Sequence, residues 1–388
     1  MEDSLAQRRA EIIDGWFNPN WCDWRFHIHD CSGERIWQTF YIFHSIWGFT
    51  LVAMGLFALY GKVLPVWARG HRIFEIEEGV LRPRAGEGFL AFATLGMLGR
   101  GIYTTVILAA RGRGFGSEAA NEFFQVFPFV LILDSGVIWA VGVVYATPRQ
   151  RLVGSTTVLV HLPSPRVLNY ILIVLVALPT ILIPVFATLD GYARDILRPD
   201  LSRALHSAHF WTWTICCVLT ATALAYFGWH LVKALRETAK DMSSMADMHP
   251  ESPKSVSEAE FRRAITSAMI TLSTLFSLAI VYGIVLCAFG LFRVEIQSFL
   301  PYSVLVGGSW IFCMPTMLTA IFGFFCYGVY QSKADERRHN QSVPCARSFF
   351  KTVTNRRRPL PGVTGADITT AGMMSEDEDT TPSIQRCP

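Results

Sequence analysis

The stretch FVLILDSGVIW, residues 129–139, has the composition of a membrane-spanning helix but carries a carboxylate, Asp134, at its centre. It lies within the longer apolar run FPFVLILDSGVIWAVGVVYA, residues 127–146. A helix of about 20 apolar residues crosses a hydrocarbon layer of about 30 Å. A carboxylate at that depth costs about 2.5–3.5 kcal/mol on insertion scales, so we expect Asp134 to have a partner or a function.

The composition of the whole chain agrees with this interpretation. Of the 388 residues, 51% are hydrophobic and only 17% are charged, whereas soluble domains carry about 25% charged residues. The apolar runs are too long and too continuous for the alternating strands of a membrane barrel. We therefore predict an all-α, polytopic membrane protein. The net charge of +3 is small and its basic residues are spread among loops, which argues against a nucleic-acid partner.

Seven apolar segments are long enough to cross the bilayer, and they predict a seven-transmembrane helix bundle. Tryptophan and tyrosine residues near several of their ends are typical of membrane–water interfaces. The predicted spans cover residues 37–60, 88–110, 122–146, 168–188, 205–232, 264–291 and 300–330.

The distribution of Lys and Arg predicts the orientation of the bundle. Most of these 34 residues fall in loops 61–87, 146–167 and 233–263 and in the tail from 331. Such loops face the cytosol in membrane proteins. We therefore expect the N-terminus outside or in a lumen and the C-terminus in the cytosol, in the plasma membrane or an endomembrane.

This arrangement divides the chain into three parts. They are an outer N-terminal segment at 1–36, a transmembrane domain at 37–330 and a disordered cytosolic tail at 331–388. The tail is polar and includes TNRRRPLP and SEDEDTTPS, a composition typical of disorder. Cys345, in VPCARSFFKTV, is a candidate palmitoylation site because it follows the last span beside basic and aromatic residues. Loop 233–263 is polar and is predicted to be flexible.

Arg100 is the second charged residue expected at bilayer depth. It lies about 18 Å from the cytosolic end of the second span, and Asp134 lies about 18 Å from the cytosolic end of the third. Glycines around Arg100 allow close helix approach. We therefore predict a direct or water-bridged Arg100–Asp134 pair, which is either a structural clamp or a functional polar site.

The predicted outer side contains two further groups of interest. The stretch WCDWRFHIHDC contains Cys22 and Cys31, which are candidates for a disulfide, since thiols oxidise outside the cytosol. His27, His29 and Asp30 lie nearby, but so short a run predicts no metal site. A second group crowds the outer end of the fifth span and indicates either a ligand pocket or an interfacial aromatic belt. Its members are His206, His209, Trp211 and Trp213.

The chain shows no constellation of catalytic residues. The seventh span lacks a lysine for a retinal Schiff base, and GRGFG at 112–116 lacks the strand–helix context of a phosphate loop. The nine cysteines include no C-x-x-C pair. We therefore predict no enzymatic activity, no catalytic residue, no cofactor and no metal.

Seven spans with an outer N-terminus, a charged third cytosolic loop and a basic tail resemble the architecture of G-protein-coupled receptors. The rhodopsin-like motifs are missing, because VYATPRQRL replaces Asp/Glu-Arg-Tyr after the third span. GEGFLAFATLGMLGRGIYTTVIL followed by FPFVLILDSGVIWAVGVVYA resembles the tobamovirus multiplication protein family of plants and fungi over residues 40–330. That resemblance implies a receptor-like or scaffold membrane protein.

These observations lead to one expected function and two alternatives. We expect a receptor-like protein that senses an unknown small ligand outside and couples to cytosolic signalling or scaffold proteins through loop 233–263 and the tail. The first alternative is a membrane scaffold that recruits such proteins without a ligand. The second is a transporter whose pathway includes Arg100 and Asp134.

Overall fold

The computed structural model describes most of the chain. The described residues are 23–25, 27–31, 33–68, 70, 72–77, 79–110, 114–146, 150–153, 156–159, 163–248 and 254–355. The chain divides into two compact units, Met1–Lys333 and Ala334–Pro388.

Long helices account for almost all of the described structure. They are α1 (Glu34–Trp67), α2 (Ala85–Ala109), α3 (Glu118–Ala146), α4 (Pro165–Asp195), α5 (Pro199–Met248), α6 (Lys254–Leu291) and α8 (Leu300–Asn355), with a short α7 (Arg293–Ser298) before the last. Seven of these helices, in the part of the chain that is described, are long and apolar enough to cross a membrane. The prediction of seven candidate membrane spans is therefore confirmed.

Helix α3 occupies the centre of the bundle. It packs against α2, α4, α5 and α6, and its span is the most buried of the seven. Close crossings rely on glycine: a Cβ at Gly191 of α4 would lie 2.5 Å from the Cα of Ala119 in α3. Such small residues let backbones approach where a larger side chain would separate them.

The outward-facing surface of the bundle is apolar. Ile46 and Ile284 are each more than 60% exposed although they lie well inside their spans. Such a surface is costly in water but is the one that lipid tails require of a spanning helix. Together with the lengths of the seven helices, it identifies an integral membrane protein.

The two ends of the bundle are built differently. At the N-terminal end, residues 23–25 and 27–31 pack among the helix ends, and a short turn joins α4 to α5. At the hairpin end, strands β1 (Phe74–Glu77) and β2 (Val80–Pro83) pair antiparallel, as do β3 (Gln150–Val153) and β4 (Thr156–Leu159). The first hairpin is fixed to α4 by the amide of Leu81, which donates to the Asn169 side chain at 3.2 Å.

Three helices extend further than the sequence predicted. Helix α5 continues to Met248 and α6 begins at Lys254, so most of loop 233–263 is helical rather than flexible. Helix α8 continues through 331–355, where an irregular tail was expected. Residues such as Lys, Glu, Arg and Ala in these segments favour helix once a neighbouring helix has nucleated it.

Candidate functional site

The N-terminal segment is folded into the end of the bundle rather than lying over it. Trp24 is fully buried, with its ring 5.9 Å from Trp37, 5.4 Å from Phe289 and 5.5 Å from Trp310. The Tyr41 hydroxyl donates to the carbonyl of Trp24 at 2.6 Å. Side-chain packing and backbone hydrogen bonds therefore hold this segment against α1, α6 and α8.

Arg25 enters the bundle beside Trp24 and meets two carboxylates. Its Nη1 lies 2.8 Å from Oε1 and 3.1 Å from Oε2 of Glu122. Its Nε and Nη2 donate to the two oxygens of Asp23 at 2.9 and 2.8 Å. The carbonyl of Arg25 accepts hydrogen bonds from the hydroxyls of Tyr41 and Tyr103. Both the side chain and the backbone of Arg25 are thus bound to the helices.

Further charges extend these contacts to α4, α5 and α7. Arg194 Nη2 lies 2.8 Å from Glu122 Oε1 and also contacts Asp190. Asp190 accepts from the Ser202 hydroxyl at 2.6 Å, and its other oxygen lies 3.3 Å from His206 Nδ1. We call the set Asp23, Arg25, Glu122, Asp190, Arg194, Ser202, His206 and Arg293 the ionic network.

The charges of the ionic network balance one another. Three carboxylates face three guanidinium groups, and the last of these, Arg293, lies 3.1 Å from Asp23. Burial raises the pKa of Asp23, but Arg25 and Arg293 outweigh it and hold the pKa well below its usual value. Burial and the nearby Arg194 lower the pKa of Arg293 to about 9, which leaves it charged at neutral pH. Buried charges of this kind persist only when each is paired.

Most residues of the ionic network were not singled out from the sequence. Glu122, Asp190 and Arg194 fall at predicted helix ends, where charged residues are ordinary on the basis of composition alone. One local signal was present, because Asp190 and Arg194 are four residues apart and so face the same side of a helix. The contact between Arg25 and Glu122 depends on the tertiary fold and has no local signal.

The predicted direct ion pair between Arg100 and Asp134 is wrong. Within the described part of the chain, neither residue forms a salt bridge, and Asp134 Oδ2 instead accepts from the Thr180 hydroxyl at 2.7 Å. The two residues were correctly expected on neighbouring helices, but equal depth does not determine which way a side chain points. Asp134 faces α4, whereas Arg100 faces the aromatic interior. A water-bridged contact stays a prediction.

Arg100 is a buried cation surrounded by aromatic rings. Its side chain is 1% exposed, and its guanidinium carbon lies 4.4 Å from the ring centre of Phe129 and 5.0 Å from that of Tyr103. Among the described residues, no hydrogen-bond partner meets its Nε or Nη1. The Tyr41 hydroxyl lies within hydrogen-bonding reach of the side chain. Aromatic faces and a neutral hydroxyl therefore surround this charge.

The four residues predicted to line a ligand pocket do not share one. His206 belongs to the ionic network, and His209 accepts a hydrogen bond from Trp213 Nε1 at 3.0 Å. Trp211 is 47% exposed and faces away from the bundle. Of the four, Trp213 alone lines the small cavity that the described residues form between α3, α5, α6 and α8.

That cavity is small and mostly apolar. It has a volume of about 40 Å³ and is lined in part by Phe129, Trp213, Leu275, Tyr282 and Met314. A water molecule needs at least about 10–15 Å³, so the cavity has room for a few waters or a small apolar group. Phe129 borders both the cavity and Arg100, because its ring contacts the guanidinium and its side chain also lines the cavity.

The remaining predicted sites are described only in part. Cys31 is disulfide-bonded, but Cys22 lies outside the described residues, so the Cys22–Cys31 disulfide stays a prediction. The side chain of Cys345 lies outside them too. The histidines of this segment contact other side chains: His27 lies 2.9 Å from Glu118, and His29 lies 3.1 Å from Gln38.

Comparison of the chain with family models, with curated proteins and with solved structures finds no match. The resemblance to the tobamovirus multiplication protein family therefore stays a prediction.

Proposed function

We propose that this protein is a receptor-like seven-helix membrane protein with its N-terminal end outside and the far ends of α5, α6 and α8 in the cytosol. It senses a small outer ligand at the N-terminal end and couples to cytosolic signalling or scaffold proteins. The membrane is the plasma membrane or an endomembrane. The observation that carries this proposal is the ionic network, which fastens the N-terminal segment to four elements of the bundle.

The ionic network suits a receptor because it joins separate elements of the chain through a few buried ion pairs. Arg25 contacts α3 through Glu122, which also contacts α4 through Arg194. Asp23 contacts α7 through Arg293. A ligand that displaced the N-terminal segment would break its ion pairs, and the remaining buried carboxylates and guanidinium groups would have to pair differently. Buried charges change partner between discrete arrangements rather than gradually, which is what a switch requires.

The opposite end of the bundle provides a surface for partners. The span of α5 ends near Lys233, but the helix continues to Met248, about 22 Å further. Helix α6 begins at Lys254, a similar distance before its span starts at Ala268. These extensions fall on the segment 233–263, which the distribution of basic residues assigns to the cytosol. They continue the spans directly, so a change in the bundle can reach them.

An experiment that connects the two ends tests the proposal. Cytosolic proteins that co-purify with the wild-type chain would be quantified, and the measurement would be repeated with Arg25→Gln. This variant weakens the ionic network without altering residues 233–263. A receptor predicts a change of at least about fivefold in recovery, the lower end of the usual range of coupling. A matched control, Arg35→Gln, removes an exposed charge from the same end and should have no effect.

The alternatives predict different results. A scaffold would recover the same partners from both variants, and that result would contradict the receptor proposal. Reversing the order of residues 243–257 preserves their length and charge but should abolish recovery if these helices hold the partner. A transporter would instead show substrate flux in liposomes that does not depend on 243–257.

A further inference from the structure

We propose that Arg100 anchors a binding site for a small monovalent anionic group inside the bundle. The group is either free chloride or the carboxylate of a small ligand, since both accept hydrogen bonds from a guanidinium. We call the surrounding residues the Arg100 site: Tyr41, His44, Arg100, Tyr103 and Phe129.

The first step of the argument is charge. Among the described residues, Arg100 forms no salt bridge. The acids of the ionic network contact other guanidinium groups, and Asp134 accepts from Thr180. An unpaired charge inside a bilayer is costly, by several kcal/mol even after local relaxation. The charges of the ionic network already balance without Arg100. The positive charge of Arg100 is therefore in excess at this position. An anion would neutralise it.

The second step is the supply of hydrogen-bond donors. Nε and Nη1 of Arg100 have no acceptor among the described residues. The charge of Arg100 acts on His44, which is 1% exposed. The backbone of Ile311 lies beside the imidazole, but no described group makes a well-formed hydrogen bond with either ring nitrogen. Two buried side chains on helices that pack together, both with unused hydrogen-bonding nitrogens, are a site at which an acceptor would be stabilised.

The third step is selectivity for a small, singly charged group. One guanidinium offers one positive charge, and the rings of Tyr103 and Phe129 present apolar walls within about 5 Å of it. A doubly charged phosphate would be left half neutralised in this environment. The cavity that Phe129 also lines has a volume of about 40 Å³, which is room for a short apolar extension of a carboxylate. A long-chain acid would exceed it.

The site is connected to the N-terminal segment through two tyrosines. Tyr41 contacts Arg100 and donates to the carbonyls of Trp24 and Arg25. Tyr103 lies against Arg100 and donates to the same Arg25 carbonyl. An anion that moved the Arg100 side chain would change the contacts that both tyrosines make with it. The signalling meaning of this connection rests on the proposed receptor function, whereas anion binding at Arg100 does not.

Thermal unfolding of the purified wild-type chain in detergent micelles tests the site. Sodium chloride, sodium acetate and sodium butyrate would be titrated at constant ionic strength against sodium gluconate, an anion too bulky for the site. We expect a saturable rise in Tm of about 2–5 °C with at least one small anion. An effect of chloride alone identifies a halide site, and a stronger effect of acetate or butyrate identifies a ligand carboxylate. Equal Tm values in all four salts would overturn the proposal.

Variants connect the effect to Arg100. Arg100→Gln should abolish the rise, while Arg35→Gln, which removes an exposed charge, should retain it. Should Arg100→Gln fail to fold, Arg100→Lys keeps the charge and should respond with altered affinity. Radiolabelled chloride binding to the wild type needs no variant. An anion response that persists unchanged in Arg100→Gln contradicts the site, whereas binding without any change in partner recovery contradicts only the receptor proposal.

Discussion

Nη1 of Arg25 lies 2.8 Å from Oε1 of Glu122, and neither side chain is exposed to solvent. The two residues are 97 positions apart in the chain, so the contact fixes the N-terminal segment to the start of α3. Because Glu122 also contacts Arg194, one carboxylate holds two guanidinium groups at the point where α3 meets α4.

The first prediction is that Glu122→Gln strongly destabilises the fold. Removing one partner of a buried ion pair leaves an uncompensated charge, which costs about 3–5 kcal/mol. Thermal unfolding in detergent should show a much larger fall in Tm than Glu118→Gln, which lies one turn earlier on α3 with its side chain 23% exposed. In a double-mutant cycle with Arg25→Gln, the two losses should be non-additive by at least about 1 kcal/mol. Additive losses would mean that the two side chains do not interact.

The second prediction concerns pH and the His27–Glu118 pair at the N-terminal end. Burial lowers the pKa of His27, but the hydrogen bond and charge of Glu118 outweigh it and raise the pKa above 6.5. A raised histidine pKa contributes stability that is complete below 6.5 and is lost as the pH rises through the folded-state value. The His27 side chain is 42% exposed, so the contribution is at most about 1 kcal/mol.

Tm measured at about pH 5.5 and about pH 8.5 checks this prediction. The wild type should lose more stability between the two pH values than His27→Gln does. Glu118→Gln should behave like His27→Gln, because either change removes the pair. An identical pH dependence in all three proteins would contradict the prediction.

The sequence predicted the helices better than the contacts between them. Apolar length is a local property, so all seven candidate spans, including the one that carries Asp134, could be placed from composition. Which neighbour a side chain meets is not local: Asp134 and Arg100 share a depth but point in different directions. The same reason explains why Arg25 and Glu122 were not paired in advance. Sequence-based placement predicts depth along a helix well and rotation around it poorly.

The ends of the helices were also poorly predicted from the sequence. The apolar run of the fifth span stops near residue 232, but nothing in the next residues prevents helix, and α5 continues to Met248. Hydropathy marks where a helix leaves the hydrocarbon layer rather than where it ends. The expected flexible loop at 233–263 was inferred from polarity alone, which does not distinguish an exposed helix from a loop.

The third prediction concerns the crossing of α3 and α4. A Cβ at Gly191 would lie 2.5 Å from the Cα of Ala119, an atom of the backbone that cannot move aside. Gly191→Ala should therefore push the helices apart, strain the Arg194–Glu122 contact and lower Tm markedly. Gly323→Ala is the matched control, because no described atom lies within 4 Å of a Cβ there and alanine favours helix over glycine. Equal effects of the two changes would show that the helices do not cross this closely.

The fourth prediction tests orientation. Gly79 and Gly116 both have positive φ, at 74° and 91°, and a Cβ at either position would have no described atom within 4 Å, so each marks an open turn. A flexible insert carrying a glycosylation acceptor would be placed at each turn in a separate protein. If the N-terminal end faces outside, the insert at Gly116 should be glycosylated and the insert at Gly79 should not. Modification of the Gly79 insert alone would reverse the proposed orientation.

The last prediction separates Arg100 from Asp134. Asp134→Asn retains an acceptor for the Thr180 hydroxyl and removes a carboxyl group whose Oδ1 has no partner in the described structure. We therefore expect Tm to fall little or to rise. A true Arg100–Asp134 pair would instead make this change cost several kcal/mol, because Arg100 would lose its counter-charge.

Combining Asp134→Asn with Arg100→Gln distinguishes the two arrangements. Because the side chains make no direct contact, their effects on the free energy of unfolding should add within about 0.5 kcal/mol. Thr180→Val provides the matched comparison: it removes the only described donor to Asp134 and should be non-additive with Asp134→Asn. If the double variant with Arg100→Gln recovers most of the stability that the single variants lose, Asp134 neutralises Arg100 after all, through water or in another conformation. Additive effects would leave Arg100 without a protein counter-charge, as a site for an anion requires.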